Sequence, residues 1–502
     1  MGQLKKLAGQ TAIYGVSSIV GRLLNWLLTP FYTGIFEPGE YGQMTILYGY
    51  SAFLLVIYTY GLETTFFRFS TRDITKGQNT YGQVMTMIVL TTLIFTIALW
   101  AFAQPIASFI EYPDHSSWIR WFAAILAVEA VMSIPFAKLR LENRPIKFAS
   151  IKILVILVTI LLNIFLLVVA PAVISGESFV FLKPLITPWY DSSLGIEYIF
   201  IANFLGTFLL VPLLAKELMV ARFNWNRKLI RQILAYSLPV GVMGLAGTVN
   251  ETFGRLMIKY LLPDGFYGSG GADYATGVYG ACFKLSVFMN LGIQAFRYAA
   301  EPFFFSSAAD KNSPALFSKV MKWFVIFGAL VFLGISVNLN WLGLLLRQSE
   351  YREALFIVPF LLMGYLFLGI YYNLSVWYKL TDQTYYGAYI ALLGALITVV
   401  GNVLLIPVIG YLGSAVVTTL TFLVMAVVSF YLGEKYYPVP YKVSNGLFYL
   451  ILSSTLALGS SQLHFSSFLL ELVVNNLAVA CFIVIVLVKE RADLPRPKRF
   501  IS

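Results

Sequence analysis

Long apolar stretches alternate with short polar connectors along almost the whole chain. Roughly fourteen of these stretches are about 20 residues long, which is the length that an α-helix needs to cross a bilayer. Strands of a membrane barrel need only about ten residues and alternate in polarity, which these stretches do not. The pattern predicts an all-α polytopic membrane protein, with helices at residues 8–34, 42–64, 83–104, 118–138, 148–171, 195–215, 233–262, 276–296, 316–338, 354–378, 385–407, 411–433, 443–462 and 467–488.

The charges of the connectors alternate in the same way. Every second connector is basic: Lys5, Lys6, Arg68, Arg72, Lys76, Lys138, Arg140, Arg144, Lys147, Lys216, Arg222, Arg227, Lys228, Arg231, Arg297, Lys311, Lys319, Lys322, Lys379, Lys435, Lys442 and the tail from Lys489 to Arg499. The other connectors are mainly acidic: Glu37, Glu40, Glu111, Asp114, Asp264 and Asp273. Because basic connectors stay on the cytoplasmic side, we predict that both chain ends are cytoplasmic.

The composition excludes several classes of function. With 59% hydrophobic and only 12% charged residues among 502, the chain is not a soluble globule. The net charge of +11 is spread over the inner connectors, so we attribute it to topology and to anionic membrane lipids rather than to nucleic acid. The sequence holds no nucleotide-binding loop, and its two cysteines and two histidines predict neither a disulfide framework nor a metal site or cofactor.

The two halves of the chain resemble each other at a spacing of 238 to 239 residues. The matched positions include Tyr41-Gly42 with Tyr279-Gly280, Glu63 with Glu301, Phe66-Phe67 with Phe304-Phe305, and Asn163 with Asn402. Each repeat contains an even number of helices, so the two repeats are parallel and related by an axis along the membrane normal. We therefore predict a six-helix lobe at 1–232, a second six-helix lobe at 233–442, and two additional helices with a cytoplasmic tail at 443–502.

Charged residues inside the apolar stretches are the best pointers to function, because burying a charge in hydrocarbon is costly. They are Arg22, Glu129, Lys152, Glu251, Arg255, Lys259 and Lys284. Purely structural roles are open to most of them. Lys152 and Lys259 lie near helix ends and can reach the interface, and Glu251 and Arg255 can neutralise each other one turn apart. Glu129 can pair with a basic neighbour or be protonated.

The sharper hypothesis is a cationic binding site. Arg22 and Arg255 lie on corresponding first helices of the two lobes and would face each other across a central cavity, with Lys284 nearby. Guanidinium groups match the oxygens of phosphate, so the hypothesis predicts an anionic substrate that carries phosphate. We add Lys152 to the predicted substrate-binding residues, and we assign Glu129 and Glu251 an ion-coupling or structural role.

Several segments resemble bacterial polysaccharide biosynthesis and export proteins of the multidrug/oligosaccharidyl-lipid/polysaccharide exporter superfamily. They are residues 11–42 with Glu37-Pro38-Gly39-Glu40-Tyr41-Gly42, Tyr236-Ser237-Leu238-Pro239, Val376-Trp377-Tyr378-Lys379-Leu380-Thr381-Asp382, and 402–407 followed by Gly410-Tyr411-Leu412-Gly413. The branch of lipid-linked oligosaccharide flippases, which includes O-antigen translocases, is the most similar. The family often has Asp before the arginine that corresponds to Arg255, whereas Gly254 stands here, which leaves an ion-coupling role for Glu251 open.

We expect a multi-pass protein of the bacterial cytoplasmic membrane that works as a monomer and is not an enzyme. The resemblance implies that two lobes form a V around a basic cavity that binds the pyrophosphate-sugar head group of a polyprenyl carrier. Two extra C-terminal helices would offer a groove for the carrier's tail. The residues leave two alternatives: a cation-coupled multidrug exporter of the same fold, which needs acidic residues in its cavity, and a membrane-embedded glycosyl-transferring enzyme, which needs a large outer loop.

Overall fold

The computed structural model describes residues 2–72, 77–223, 225–307, 312–463 and 467–491, and every regular element in these ranges is helical. Some residues named above lie outside the described residues: Lys76, Lys311 and the tail beyond Arg491, together with the side chains of Lys5, Lys6, Arg72, Glu301 and Phe305. The chain forms two compact units, residues up to 277 and residues from 278 onward. The predicted all-α class is confirmed.

The first unit contains thirteen α-helices and the beginning of a fourteenth. They are α1 (Gly2–Ile35), α2 (Pro38–Thr59), α3 (Leu62–Arg72), α4 (Gly77–Ala101), α5 (Ala103–Phe109), α6 (Ser116–Leu141), α7 (Pro145–Ile164), α8 (Ala170–Ser175), α9 (Lys183–Ile186), α10 (Glu197–Phe208), α11 (Leu210–Leu213), α12 (Ala215–Met219) and α13 (Arg227–Leu261). The second unit contains most of α14 (Gly271–Ser307), then α15 (Ser313–Ser336), α16 (Leu339–Gly343), α17 (Val358–Leu374), α18 (Val376–Leu380), α19 (Tyr385–Ile409), α20 (Tyr411–Tyr436), α21 (Val443–Ser461) and α22 (Phe468–Lys489).

The described helices make the chain a multi-pass membrane protein. Within the described residues, eleven helical segments are long and apolar enough to cross a membrane. The predicted number of about fourteen is not confirmed. The other three predicted spans coincide with α1, with the shorter apolar helix at Glu197–Leu213, and with α14.

Local sequence signals set the ends of several helices. Pro38 occupies the first turn of α2, where its missing N–H costs nothing, and the backbone N–H of Glu37 donates to the Glu40 carboxylate over 3.2 Å. Asn226 caps α13 by accepting a hydrogen bond from the backbone N–H of Leu229. Gly176, with φ of 84°, ends α8 in a left-handed conformation that glycine adopts at little cost.

The core of the first unit forms where α2, α6, α7 and α10 pack together and α1 packs on α7. The Tyr32 hydroxyl donates to Asn163 Oδ1 over 2.9 Å, which ties α1 to α7 inside the apolar interior. Helix α13 packs on α2 and α3 and so belongs to the first compact unit. The repeat boundary between residues 232 and 233 is a division by sequence similarity rather than by contacts, and it stays a prediction.

In the second unit, the additional helices α21 and α22 are held against α15 at two levels. In the first half of α15, Lys322 Nζ lies 2.6 Å from Glu490 Oε2, and the Tyr449 hydroxyl donates to Glu490 Oε1 over 2.8 Å. At the C-terminal end of α15, the Asn475 amide donates to the Val337 carbonyl oxygen over 2.9 Å. The two helices are therefore an integral part of the second unit.

Two glycines allow a close approach of helix backbones in the first unit. Gly42 on α2 faces the backbone of Asp273 on α14, and Gly277 on α14 faces the backbone of Pro38. A Cβ atom at either glycine would overlap a carbonyl oxygen of the opposite helix, which cannot move aside as a flexible side chain can. The absence of a side chain at both positions allows the two helices to cross.

We predict that Gly42→Ala and Gly277→Ala each lower the melting temperature of the purified protein. Overpacking of a rigid contact typically costs about 1–3 kcal/mol, which the melting temperature will report. Gly39→Ala is the matched control, because a Cβ atom at Gly39 meets nothing within 4 Å. If Gly39→Ala lowers the melting temperature as much as Gly42→Ala does, the explanation by helix overpacking is contradicted.

Candidate functional site

Arg22 lies in the interior of the long helix α1 and is exposed. Its neighbour Gly21 is buried against α7, where an added Cβ atom would lie 2.9 Å from Cδ1 of Ile156. Lys152 lies one helical turn before Ile156 on α7, about 6 Å along the axis, and is also exposed. Two cations therefore occupy neighbouring levels of two packed helices, Arg22 near the middle of its predicted span and Lys152 about one turn inside its own.

Glu129, on the adjacent helix α6, provides the negative charge of this region. It is exposed, and it interacts electrostatically with Lys152, whose Nζ lies 4.5 Å from the centre of the Phe136 ring. This interaction supports the pairing of Glu129 with a basic neighbour, one of the two structural alternatives open to it, and the choice between pairing and protonation stays a prediction. For Lys152, an ion partner inside the span accounts for its position better than reaching the interface does.

Polar residues extend this region in both directions along α6. Tyr48 of α2 lies near Glu129, and its hydroxyl is hydrogen-bonded to the Asn203 amide of α10. In the other direction, Arg140 forms an ion pair with Glu63 of α3. We name the residues Arg22, Tyr48, Glu63, Glu129, Arg140, Lys152 and Asn203 the polar track. All of them lie in the first unit, and the track runs from the end of α6 at Arg140 into the middle of the helix.

Four members of the polar track were not predicted as site residues from the sequence: Tyr48, Asn203, Arg140 and Glu63. Tyr48 and Asn203 are uncharged residues in apolar helices, and many such residues serve only packing. Arg140 and Glu63 lie at the ends of predicted spans, where charges are expected for topological reasons. An available signal for Asn203 is that an amide within an apolar helix needs a hydrogen-bond partner on another helix.

Arg255 and Glu251 are placed on α13, also in the first unit. Arg255 is half-buried, and its Nη2 lies 3.4 Å from both the Glu251 carbonyl oxygen and Thr252 Oγ1. Glu251 is exposed. Lys284 is half-buried on the part of α14 that belongs to the second unit. The convergence of Arg22, Arg255 and Lys284 on one cavity stays a prediction.

Lys259, one turn beyond Arg255, is part of a different cluster. Its side chain is only 4% exposed, and Nζ lies 3.3 Å from Asp273 Oδ1 and 3.6 Å from Glu111 Oε2. The ammonium group also lies 3.6 Å from the centre of the Tyr112 ring. The expectation that Lys259 reaches towards the interface stays a prediction, and its ion pairs with these two acids of the predicted outer connectors hold the side chain in place. We name Glu111, Tyr112, Lys259 and Asp273 the acidic clasp.

Tyr112 completes the acidic clasp. Its hydroxyl donates to Asp273 Oδ1 over 2.9 Å. Burial, and then the negative charge of Asp273, raise the pKa of Tyr112 well above the usual value for tyrosine, so the phenol stays protonated and remains a donor. Glu111 has φ of 67°, which is uncommon for a residue other than glycine and orients the 111–112 turn. The clasp joins that turn to the end of α13 and the beginning of α14, on the predicted outer side.

Solved structures show which class of fold this is. The lipid II flippase MurJ in an inward closed conformation is 12% identical, with a TM-score of 0.69 over 95% of this chain and 99% of that chain. An inward-facing multidrug resistance transporter of the MATE family in the MOP superfamily is 14% identical, with a TM-score of 0.65 over 84% and 97%. The Vibrio cholerae MATE transporter VcmN in the bent form is 14% identical, with a TM-score of 0.55 over 89% and 100%. The chain has the MurJ/MATE-like fold of membrane transporters and flippases.

The family model described as "Polysaccharide biosynthesis protein" matches residues 33–190. With the structural matches, it confirms the resemblance that the sequence motifs indicate. No curated protein sequence matches the chain significantly.

We predict that Glu129 and Lys152 are energetically coupled. Glu129→Gln or Lys152→Met alone leaves one charge without its partner inside a span, whereas the double variant leaves neither. The decrease in melting temperature of the double variant should therefore be smaller than the sum of the decreases of the two single variants. The difference should correspond to an interaction free energy of about 0.5–3 kcal/mol.

The matched control for this cycle combines Lys152→Met with Glu177→Gln. Glu177 lies just beyond α8, about 35 Å along the helix from Lys152. The decreases in melting temperature caused by Lys152→Met and Glu177→Gln should add. Additive losses for Glu129 and Lys152 as well would show that the two charges do not interact.

We predict that Lys259→Met lowers the melting temperature by the equivalent of about 2 kcal/mol, because it removes a charged partner from Asp273. Lys259→Arg should restore much of the loss, since it retains the charge. Lys183→Met is the control, as Lys183 is an exposed lysine in a connector that we predict to lie on the outer side. Equal losses for Lys259→Met and Lys183→Met would contradict a specific clasp.

Proposed function

We propose that the protein is a flippase that translocates an oligosaccharide linked to a polyprenyl (pyro)phosphate across the bacterial cytoplasmic membrane. It works by alternating access, as a monomer with both chain ends in the cytoplasm, and it is a transporter rather than an enzyme. The observation that carries this proposal is that two exposed cations, Arg22 and Lys152, lie on the packed helices α1 and α7, in positions that fall within predicted membrane spans.

The charge balance of the polar track favours an anionic ligand. Arg140 is paired with Glu63, and Lys152 interacts with Glu129, so these four charges compensate one another. Arg22 then adds an excess positive charge. A guanidinium group presents a planar fork of donors that matches phosphate oxygens, and a charge at this depth is stable only next to water or a polar partner. A phosphate-bearing head group supplies that partner.

Arg255 and Lys284 complete the proposed site from the second repeat, and Lys152 shares its charge between Glu129 and the substrate. Glu129 then adjusts how strongly Lys152 holds the head group, and Glu251 has a structural role beside Arg255. In this cycle the acidic clasp is the closed outer gate, which must open before the sugar can leave. The exposed position of Arg22 and the burial of Lys259 are the observations that support this division of roles.

The alternative is a cation-coupled multidrug exporter, and the matches to MATE transporters together with the acid Glu129 favour it. Such a pump needs an acid that is free to bind a cation. Here the ammonium group of Lys152 already interacts with Glu129, and it would repel an incoming cation. We therefore prefer the flippase.

Transport of this kind does not require a nucleotide. Moving one net charge across the membrane is worth about 2.3 kcal/mol per 100 mV, and the cell interior is negative. Export of an anionic head group is therefore favoured by the membrane potential itself.

We predict that Arg22→Ala abolishes translocation, so that carrier-linked oligosaccharide accumulates on the inner face of the membrane. Lipid-linked sugar should be measured in cells of a deletion strain complemented with each variant at equal expression. Arg22→Lys should retain part of the activity, because it keeps the charge but not the planar fork.

Lys183→Ala is the matched control, since it removes an exposed cation from an outer connector and should leave translocation unchanged. Normal export by Arg22→Ala at equal expression would refute the proposed site. Loss of drug resistance with normal sugar export would favour the multidrug exporter instead.

A further inference from the structure

An apolar groove runs along the surface of the second unit between α14 and α15. It has a volume of about 610 Å³, within the usual range of ligand sites. On α14 its lining is Met289, Gly292, Ile293, Ala295 and Phe296; on α15 it includes Leu316, Lys319, Val320, Trp323, Phe324, Phe327, Gly328 and Val331. On α15 these residues recur at intervals of three or four, so one face of the helix forms one wall of the groove.

The groove has one charged end. Lys319 is its single charged lining residue, is exposed, and lies one turn from Trp323. The charge pattern predicts that this end of α15 lies on the cytoplasmic side. Lysine side chains there bind lipid phosphates, and tryptophan is enriched at the membrane interface. From Lys319 to Val331 the groove wall extends about 18 Å along the helix. Half of a hydrocarbon core is about 15 Å thick, so the length suits one chain of one leaflet.

We propose that this groove binds an acyl chain of an anionic phospholipid of the cytoplasmic leaflet, whose phosphate pairs with Lys319. A second apolar groove, of about 460 Å³, lies in the first unit between α2 and the α4–α5 segment. Its lining residues, which include Leu54, Tyr58, Phe95 and Phe109, are all uncharged. The charged end therefore distinguishes the α14–α15 groove from a merely lipid-facing surface.

The proposed lipid site is separate from the polar track and does not depend on the flippase proposal. It is also separate from a groove on the two C-terminal helices, because its lining comes from α14 and α15. The C-terminal helices contact α15 through a different face, which carries Lys322. A lipid at this position is bound by the protein as a partner and is not transported.

Gly292 provides a way to close the groove without disturbing the fold. A Cβ atom at Gly292 meets nothing within 4 Å, so the side chain of Gly292→Phe would occupy groove space, and phenylalanine is a better helix former than glycine. Gly459→Phe is the matched control, because Gly459 on α21 also faces open space but does not line the groove.

The experiment measures lipid binding to the purified, delipidated full chain by native mass spectrometry, with phosphatidylglycerol and phosphatidylcholine as probes. Wild type and Gly459→Phe should bind phosphatidylglycerol equally, and Gly292→Phe should bind it at least tenfold more weakly. Lys319→Gln should weaken phosphatidylglycerol binding about fivefold and phosphatidylcholine binding much less, because the choline ammonium group already neutralises the charge of that phosphate. Lys435→Gln, at an exposed lysine near the end of α20, is the matched charge control and should change neither.

Three results would overturn the proposal. The first is equal binding of the two lipids by wild type, and the second is unchanged phosphatidylglycerol binding by Gly292→Phe. The third is displacement of phosphatidylglycerol by an equal concentration of polyprenyl phosphate in wild type but not in Gly292→Phe, which would assign the groove to a carrier tail. None of these results bears on Arg22, so failure here leaves the proposed translocation activity intact.

Discussion

A charged side chain within the hydrocarbon core needs water or a partner of opposite charge, and this constraint accounts for the most informative features of the structure. Glu129 with Lys152 and Lys259 with Asp273 are two solutions to the same problem. The first pair is exposed and lies beside Arg22, whereas Lys259 is buried between acids. An exposed pair is able to exchange a partner for a ligand, while a buried pair mainly fixes the positions of the helices that carry it.

The same distinction separates the roles that we propose for the two clusters. The polar track keeps ionic groups accessible on the adjacent helices α1, α6 and α7, as a binding site requires. The acidic clasp joins the 111–112 turn, the end of α13 and the beginning of α14 through Lys259, as a closed gate requires. Glycines support this division, since Gly42 and Gly277 let α2 and α14 approach closely beside the clasp.

The sequence predicted the helical class, and it located Arg22, Glu129 and Lys152 because a single charge in an apolar stretch is conspicuous. It could not predict that Lys259 pairs with Glu111, because the two residues are far apart in the chain and meet only through tertiary packing. The number of membrane spans could not be predicted from the sequence either. The segment Glu197–Leu213 is apolar but shorter than an ordinary span, so its length does not decide whether it crosses the membrane. The position of Tyr48 near Glu129 could not be predicted either, because a tyrosine in an apolar helix usually serves packing.

The central claim is that Arg22 and Lys152 face a water-filled chamber that receives a phosphate head group. Its most direct test replaces each with cysteine in a Cys481→Ser background, which removes the exposed native thiol, and measures labelling in native membranes by a charged, water-soluble thiol reagent. The account predicts rapid labelling at both positions and protection by a polyprenyl diphosphate. Labelling only by a lipid-soluble reagent, with no protection, would place both side chains against acyl chains and contradict the account.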